Sequence, residues 1–405
     1  MKKWKPYFFT FGKLFILLFL SAIVFSYAMF QGGFVSWFLF YSFLPFALYS
    51  FILVFYPIRD FKVERVISHK ERLAGESLPI RLIITRSIPV PLFYLIMEEQ
   101  VSEKTSKRFN HTSLKSLVFP GFRKHIEVAF TIHHIPRGEH EFTGIRMKVG
   151  DVLGLIEKEV IIPCENKVLV YPAYEDMIYR PVEHQYEQGT TSSNVKVQRD
   201  TSMAIGVRDY QPGDRFSWIN WKATAKKNEI MTKEFEQRRS HDVMIILDRT
   251  PSNHFERVVN YASSLTRAIL KKGAQCGITS VGKERTIIPI RAGESHLQAI
   301  QFHLAKVEAD CEQSFHQVLE SERVRLLQMP ILMVLTSHIH QGLIDEMRKL
   351  TLRNAQVFLF VIKGKNEKLS AQEADLRIQG TRSGLWIRFV HEGEFSESFV
   401  GVRRS

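Results

Sequence analysis

"VMIILDRTPS", residues 243–252, decides the fold of the C-terminal half. Val243 to Leu247 are five apolar residues in succession, and the run stops at Asp248. A short run of this kind, without alternation, is a strand covered on both faces. The segments that follow supply the covers. "FERVVNYASSLTRAILKKG", from Phe255, spaces its apolar residues for a helix and ends at Gly273. "QCGITSV" and "TIIPI" pair as a hairpin, "HLQAIQFHLAKV" is helical, "PILMVLTS" is another buried strand and "LIDEMRKLTLRN" another helix. "QVFLFVI" and "LWIRFV" complete the set of strands. Buried strands alternating with helices predict a doubly wound α/β domain over residues 241–405, with a mainly parallel sheet.

Two uncharged runs stand at the other end of the chain. Leu14–Phe30 and Phe34–Tyr56 flank Gln31-Gly32-Gly33, and no Lys, Arg, Asp or Glu occurs between Lys13 and Arg59. Each run can cross a hydrocarbon core as a helix of about 20 residues. A cleaved signal peptide would explain the first run alone, but the second follows at once and no small-residue cleavage site precedes Gln31. Residues 1–58 therefore read as a two-helix transmembrane hairpin, kinked at Pro45. Lys2, Lys3, Lys5 and Lys13 flank one end, and Arg59, Lys62 and Arg65 the other. The positive-inside rule places both termini and all later domains in the cytoplasm, at the plasma (inner) membrane. The net charge of +13 suits a face turned towards anionic lipid as well as it suits nucleic acid. The three cysteines, Cys164, Cys276 and Cys311, lie at no metal-ligand spacing and read as packing residues in a reducing compartment.

Residues 59–172 alternate apolar and polar residues with period two, as in "LPIRLIIT", "HIEVAFTIHHI" and "EFTGIRMKV". Gly75, Pro89, Pro91, Pro120 and Gly138 punctuate the runs. This predicts an all-β sandwich of immunoglobulin-like kind. Residues 173–204 are polar and irregular and read as a linker.

Residues 205–240 carry the densest pattern. Arg208-Asp209-Tyr210, Pro212-Gly213-Asp214, Ile219, Trp221-Lys222-Ala223, Ala225 and Glu234-Phe235 resemble the signature of the domain of unknown function 58 family. Asp209, Thr224 and Lys226 replace the family's usual Glu, Ser and Arg with residues of the same type. "RGEHEFTGIRMKVGDVLGLIEKE" (137–159) and "VLVYP" (168–172) extend the resemblance. It implies a membrane-anchored protein with a von Willebrand factor A-like α/β domain. It also implies two partners, a MoxR-type AAA+ ATPase and a transglutaminase-like membrane protein.

Three readings of function compete. The von Willebrand A fold carries D-x-S-x-S after its first strand, and this chain offers Asp248, Thr250 and Ser252. One carboxylate and two hydroxyls suit Mg²⁺ or Mn²⁺ and would allow a metal-dependent hydrolase. Thr336-Ser337 stands where a second Asp is expected, and capping of the next helix would explain the motif without metal. His338 and His340 lack a nearby carboxylate in the sequence and make a weak metal pair. In the signature, Trp218 and Trp221 among Lys222, Lys226, Lys227 and Lys233 have nucleic-acid composition, but interspersed acids count against it. No G-x-S-x-G or H-E-x-x-H supports catalysis. The remaining reading makes the signature a structural junction that also docks a partner. Arg208 pairs with Asp214, Gly213 permits the turn, and Trp221 plugs the segment against the α/β domain. Asp209, Tyr210, Lys222, Glu234 and Phe235 complete the surface. A membrane-anchored cytoplasmic scaffold, without nucleic acid as partner, is the expectation.

Overall fold

The computed structural model describes residues 5–67, 71–109, 115–180, 204–211, 214–235, 242–329, 331–352 and 356–399. The chain divides into two compact units, Met1–Ala173 and Tyr174–Ser405.

The first unit opens with α1 (Lys5–Gln31) and α2 (Phe34–Phe55), which pack against each other. Gly32 and Gly33 join them at φ 61° and 87°, a conformation that glycine adopts without a Cβ clash. Phe15, Phe38 and many other apolar side chains of the pair point outward, as a lipid-facing anchor requires. Helix α2 continues through Pro45.

The strands β1 (Lys62–Ile67), β2 (Arg72–Leu73), β3 (Leu78–Thr85) and β4 (Tyr94–Val101) follow, then the short helix α3 (Glu103–Arg108). After it come β5 (Lys115–Val118), β6 (His125–Ile132), β7 (Gly138–Gly150) and β8 (Glu157–Tyr171). They form a three-stranded sheet, β1-β3-β6, and a five-stranded sheet, β2-β8-β7-β4-β5. Leu78, Ile80, Leu82 and Ile84 of β3 share one core with Leu95, Met97, Ile145, Met147 and Val149 of the other sheet. The period-two pattern thus faces the two sheets together. Arg65 crosses this core to Glu99, bonding it at 3.2 and 2.5 Å.

Residues 174–180, which open the second unit, carry no helix or strand. Met177 and Tyr179 are buried in the α/β core, so the expected linker does not start at residue 173. Two apolar side chains in a polar stretch were enough to dock it. The rest of that linker, residues 181–203, lies outside the described residues, as does Gly213. Strand β9 (Ala204–Asp209), helix α4 (Trp221–Lys227) and strand β10 (Met231–Phe235) form a small separate hairpin.

The remaining elements are β11 (Val243–Leu247), α5 (Phe255–Lys271), β12 (Cys276–Val281), β13 (Arg285–Arg291), α6 (Glu294–Lys306) and α7 (Phe315–Leu326). They end with β14 (Ile331–Thr336), α8 (Gln341–Thr351), β15 (Gln356–Lys363), α9 (Ala371–Arg382) and β16 (Trp386–His391). The sheet order is β13-β12-β11-β14-β15-β16, parallel except for β13. Val243, Ile245 and Leu247 join the core under α5 and α6, while Met244 and Ile246 join the core under α7 and α8. Alternate residues of one strand therefore serve two cores, which explains its unbroken apolarity.

Helices α3, α7 and α9 were not expected. Of α9 only Gly380 is buried, so it carries no apolar stripe to betray it.

Candidate functional site

Two places in the second unit gather the residues singled out from the sequence. The first is the end of the β11 strand. Asp248 is buried, and its carboxylate is caged by donors. Oδ1 accepts from Thr250 N at 2.9 Å and Thr250 Oγ1 at 2.7 Å, and Oδ2 accepts from Thr336 Oγ1 at 2.6 Å. Ser337 Oγ donates to Ser252 Oγ at 2.9 Å. The strands β11 and β14 are neighbours in register, so their ends bring Asp248 and Thr336 together across 88 positions of sequence. Burial pushes the Asp248 carboxyl above the ordinary aspartate range, although the Thr336 and Thr250 hydrogen bonds pull the other way.

This donor set offers one carboxylate and hydroxyls. Thr336 and Ser337 add only hydroxyls, so a divalent ion here would be only half neutralised. Both Asp248 oxygens are also already hydrogen-bonded. The residues fit a hydroxyl-caged carboxylate and fit a resident dication poorly.

Arg249, next in sequence, turns away. It binds Asp310 at 2.7 Å and the carbonyls of Glu308 and Glu284 at 3.0 and 3.1 Å. His340 contacts His316 ring to ring at 3.0 Å, and burial pushes its pKa down. His338 lies 6.4 Å from His254, between ring centres. The sequence pointed to His338 and His340 and to Thr336-Ser337, but not to His316, which comes from a distant element.

The second place is the signature hairpin. Antiparallel β9 and β10 pair Arg208 with Thr232 and Asp209 with Met231. Arg208 Nη2 donates to Asp214 Oδ1 at 2.7 Å, and Gln211 N donates to Asp214 Oδ2 at 3.0 Å. This carboxylate ties the strand to the turn that follows it. Asn220 then caps α4, accepting from Ala223 N at 3.2 Å, and Asn228 ends the helix with φ 58°. Thr224 Oγ1 accepts from Met231 N at 3.0 Å, which explains why a hydroxyl residue serves here.

Inward, the hairpin buries Ile219, Met231 and Thr232. Outward, it presents Phe216 and Trp221, 78% and 69% exposed, with Ile230 and the exposed lysines Lys222, Lys226, Lys227 and Lys233. Trp221 was expected to plug the segment against the domain. It stands in solvent instead, because α4 lies on a two-stranded ladder that buries Ile219 rather than either tryptophan. Tyr210 stacks on Phe216 at 6.5 Å, and the Arg215 guanidinium covers Trp218 at 5.5 Å. Asp209 is exposed. Glu234 and Phe235 lie on β10, with the strand bulged between them.

Comparison with known proteins bears on the whole chain. The family described as "Protein of unknown function DUF58" matches residues 206–392, which include the hairpin and the sheet. "Uncharacterized protein YeaD" of Bacillus subtilis (strain 168) is 36% identical over 398 residues, covering 98% of this chain and 99% of its own. Among solved structures, the Bacillus subtilis sporulation control protein Spo0M overlaps 27% of this chain and 49% of its own, at 13% identity and TM-score 0.16. Cwp6 from Clostridium difficile overlaps 85% and 55%, at 10% identity and TM-score 0.19. Overlaps this slight define no shared fold.

Proposed function

We propose a function from one premise: this chain belongs to the family Protein of unknown function DUF58. Its two apolar N-terminal helices are consistent with a membrane anchor. On that premise we read the protein as a membrane-anchored scaffold whose signature hairpin docks a partner protein. The observation that carries the reading is the outward face of the hairpin. Phe216 and Trp221 remain exposed among lysines, while the polar residues Arg208, Asp214, Asn220 and Thr224 spend their hydrogen bonds holding the shape. A preorganised surface rich in Trp, Phe and Tyr is what interface cores use.

The finer expectations belong to this proposal. Basic flanks on both ends of the helical pair favour a cytoplasmic orientation. The strand order, with β13 alone reversed, and helices on both faces support a von Willebrand A-like reading of the α/β domain. The two sheets sharing one core support an immunoglobulin-like reading of the sandwich. The lysines favour an acidic partner surface, and the family resemblance nominates a MoxR-type AAA+ ATPase, with a transglutaminase-like membrane protein beside it.

Hydrolysis through a metal at Asp248 is the weaker reading, because one caged carboxylate is a poor dication site. Nucleic-acid binding is weaker too. The lysines are interspersed with carboxylates, Asp209, Asp214 and Glu229, which works against a phosphate-binding face.

The test is crosslinking and affinity capture of the full chain from membranes, with Phe216→Ala and Trp221→Ala as comparisons. Recovery of an AAA+ ATPase with the wild type, lost in both variants, is expected. A wild-type capture without any AAA+ protein overturns the partner assignment, and unchanged capture by both variants overturns the docking face.

A further inference from the structure

The sandwich carries apolar residues at one end that its own core does not use. The loops at 86–93, 119–124 and 151–156 join β3 to β4, β5 to β6 and β7 to β8. Strand register sets them side by side, with Thr85 opposite His125, Leu95 opposite Val118 and Tyr94 opposite Gly150. Their tips expose Ile88, Phe93, Phe119, Phe122, Val152 and Leu153, with Phe119 and Phe122 70% and 71% exposed. Contiguous exposed apolar residues of this kind mark a contact surface.

The first unit also fixes where that surface lies. Phe93 N donates to the hydroxyl of Tyr49 at 3.3 Å, and the two rings meet edge to face at 4.7 Å. Ser50 Oγ donates to the buried Asp151 Oδ2 at 2.6 Å, while Ile156 N donates to Oδ1 at 2.9 Å. Lys158 Nζ reaches the carbonyls of Val54 and Tyr56. The loops therefore touch α2 before its end. Tyr49 lies six residues short of Phe55, about 9 Å along a helix rising 1.5 Å per residue. Over those same turns Leu48, Phe51, Ile52 and Phe55 keep an exposed apolar face, as residues against lipid do.

We infer that these three loops sink into the interfacial layer of the bilayer and seat the sandwich on the membrane as a second anchor beside the helical pair. The occupant of the surface is lipid because the loops adjoin the apolar turns of α2 at that level. The tips are also followed by exposed Arg123 and Lys124, and α2 by exposed Arg59 and Lys62, which suit anionic headgroups.

The loops are built stiffly for this. Arg86 is buried and gives its donors to main-chain carbonyls of two loops: Val90 at 2.7 Å, Gly121 at 2.6 Å and Arg123 at 2.8 Å. Leu92 and Gly121 exchange hydrogen bonds at 3.1 Å. Asp60, just beyond α2, accepts from Ser87 N, Ser87 Oγ and Ile88 N. Aromatic tips on a fixed frame enter an interface without the ordering cost that a loose loop bears.

The inference rests on the membrane-anchor reading, so the test separates the two. The photoreactive residue p-benzoylphenylalanine replaces Phe122 or Val152 in the full chain, reconstituted in vesicles of phosphatidylcholine and phosphatidylglycerol. The same replacement at Phe38, exposed on α2, and at Val324, exposed on α7, gives the two references. After irradiation, mass spectrometry reads the lipid adducts. Adducts at 38, 122 and 152 but not at 324 are expected. Adducts at 38 with none at 122 and 152 overturn the loop insertion and leave the helical anchor standing. Yields at 122 and 152 no higher than at 324 overturn it likewise. No adduct even at 38 overturns the anchor itself, and the inference with it.

Discussion

Replacing Asp248 tests whether the end of the β11 strand is a hydroxyl cage or an ion site. Asp248→Ala removes an acceptor of three hydrogen bonds. Thr336 Oγ1 keeps an alternative acceptor, the His338 carbonyl at 3.1 Å, and half-buried Thr250 can turn to water. Three bonds to a charged acceptor at about 1.5–3 kcal/mol each would overstate the loss, since the variant also escapes the desolvation of a buried charge. A net cost of about 2–3 kcal/mol remains. Asp248→Asn keeps an oxygen for Thr250 and offers its amide to Thr336 Oγ1, whose proton then serves His338 O. That swap costs less than about 1 kcal/mol.

The assay is amide hydrogen exchange in peptides covering Val243–Leu247 and Ile331–Thr336, on the full chain in lipid nanodiscs. At about 1.4 kcal/mol per factor of ten, the alanine variant exchanges roughly 30- to 150-fold faster and the asparagine variant less than about fivefold faster. Mg²⁺ is expected to change neither. An ion present at 100 times its Kd would add about 2.7 kcal/mol, close to 100-fold protection. Protection of that size by Mg²⁺ in the wild type, abolished by Asp248→Asn, would refute the cage.

Three further outcomes follow from polar contacts. Burial pushes the Glu346 carboxyl up, but Arg323 at 2.5 Å and Lys349 at 3.1 Å outweigh it and hold the pKa below the ordinary 4.5. A depressed acid stabilises the fold above its unfolded pKa and loses that gain as pH falls through the folded one, so Glu346→Gln is expected to cost about 1 kcal/mol at pH 7, with the gap to wild type closing in acid denaturation curves below the glutamate range. Asp214→Ala removes the acceptor shared by Arg208 Nη2 and the Gln211 amide, although Arg208 keeps the Asp209 carbonyl, and limited proteolysis is expected to cut the signature hairpin several-fold faster at a cost of about 1–2 kcal/mol; an unchanged cleavage rate contradicts the role given to the pair. Ser50→Ala leaves one oxygen of buried Asp151 unpaired, and exchange at 151–156 is expected to rise tenfold or more, for a loss of about 1.5–3 kcal/mol.

What could be read in the sequence follows from how each element is buried. Strands β11, β14 and β15 are covered on both faces, so they appear as apolar runs, and the doubly wound arrangement followed from their alternation with helices. Helix α9 escaped because its apolar residues are sparse, whereas α7 carries Phe315, Val318, Leu319 and Leu326 at helical spacing, a signal that was present in the sequence. The signal available in both was the capping box, Ser314 with Gln317 and Ser370 with Glu373, three residues apart in each case. Met177 and Tyr179 escaped because two isolated side chains have no period. The Asp248 motif was legible as residues, but its partners Thr336 and Ser337 depend on the adjacency of β11 and β14. For Trp221 the direction was the difficulty. Spacing tells that Trp218 and Trp221 share a turn region, whereas the exposure of Trp221 depends on which layer covers a seven-residue helix.

The chemistry of the second unit points the same way from both of its sites. At Asp248 three protein donors meet the carboxylate, two on Oδ1 and one on Oδ2. In the signature the charged and polar side chains Arg208, Asp214, Asn220 and Thr224 are likewise engaged with main chain or with each other. A catalytic constellation keeps at least one activated group facing a cleft. What this hairpin turns outward is large, apolar and cationic: Phe216, Trp221, Ile230 and the lysines around them. Exposed aromatic area that costs free energy in water, displayed on a frame that hydrogen bonds keep rigid, is retained where another surface covers it. That asymmetry, with the polar groups spent inward and the apolar groups displayed outward, is what supports the docking role proposed for the signature.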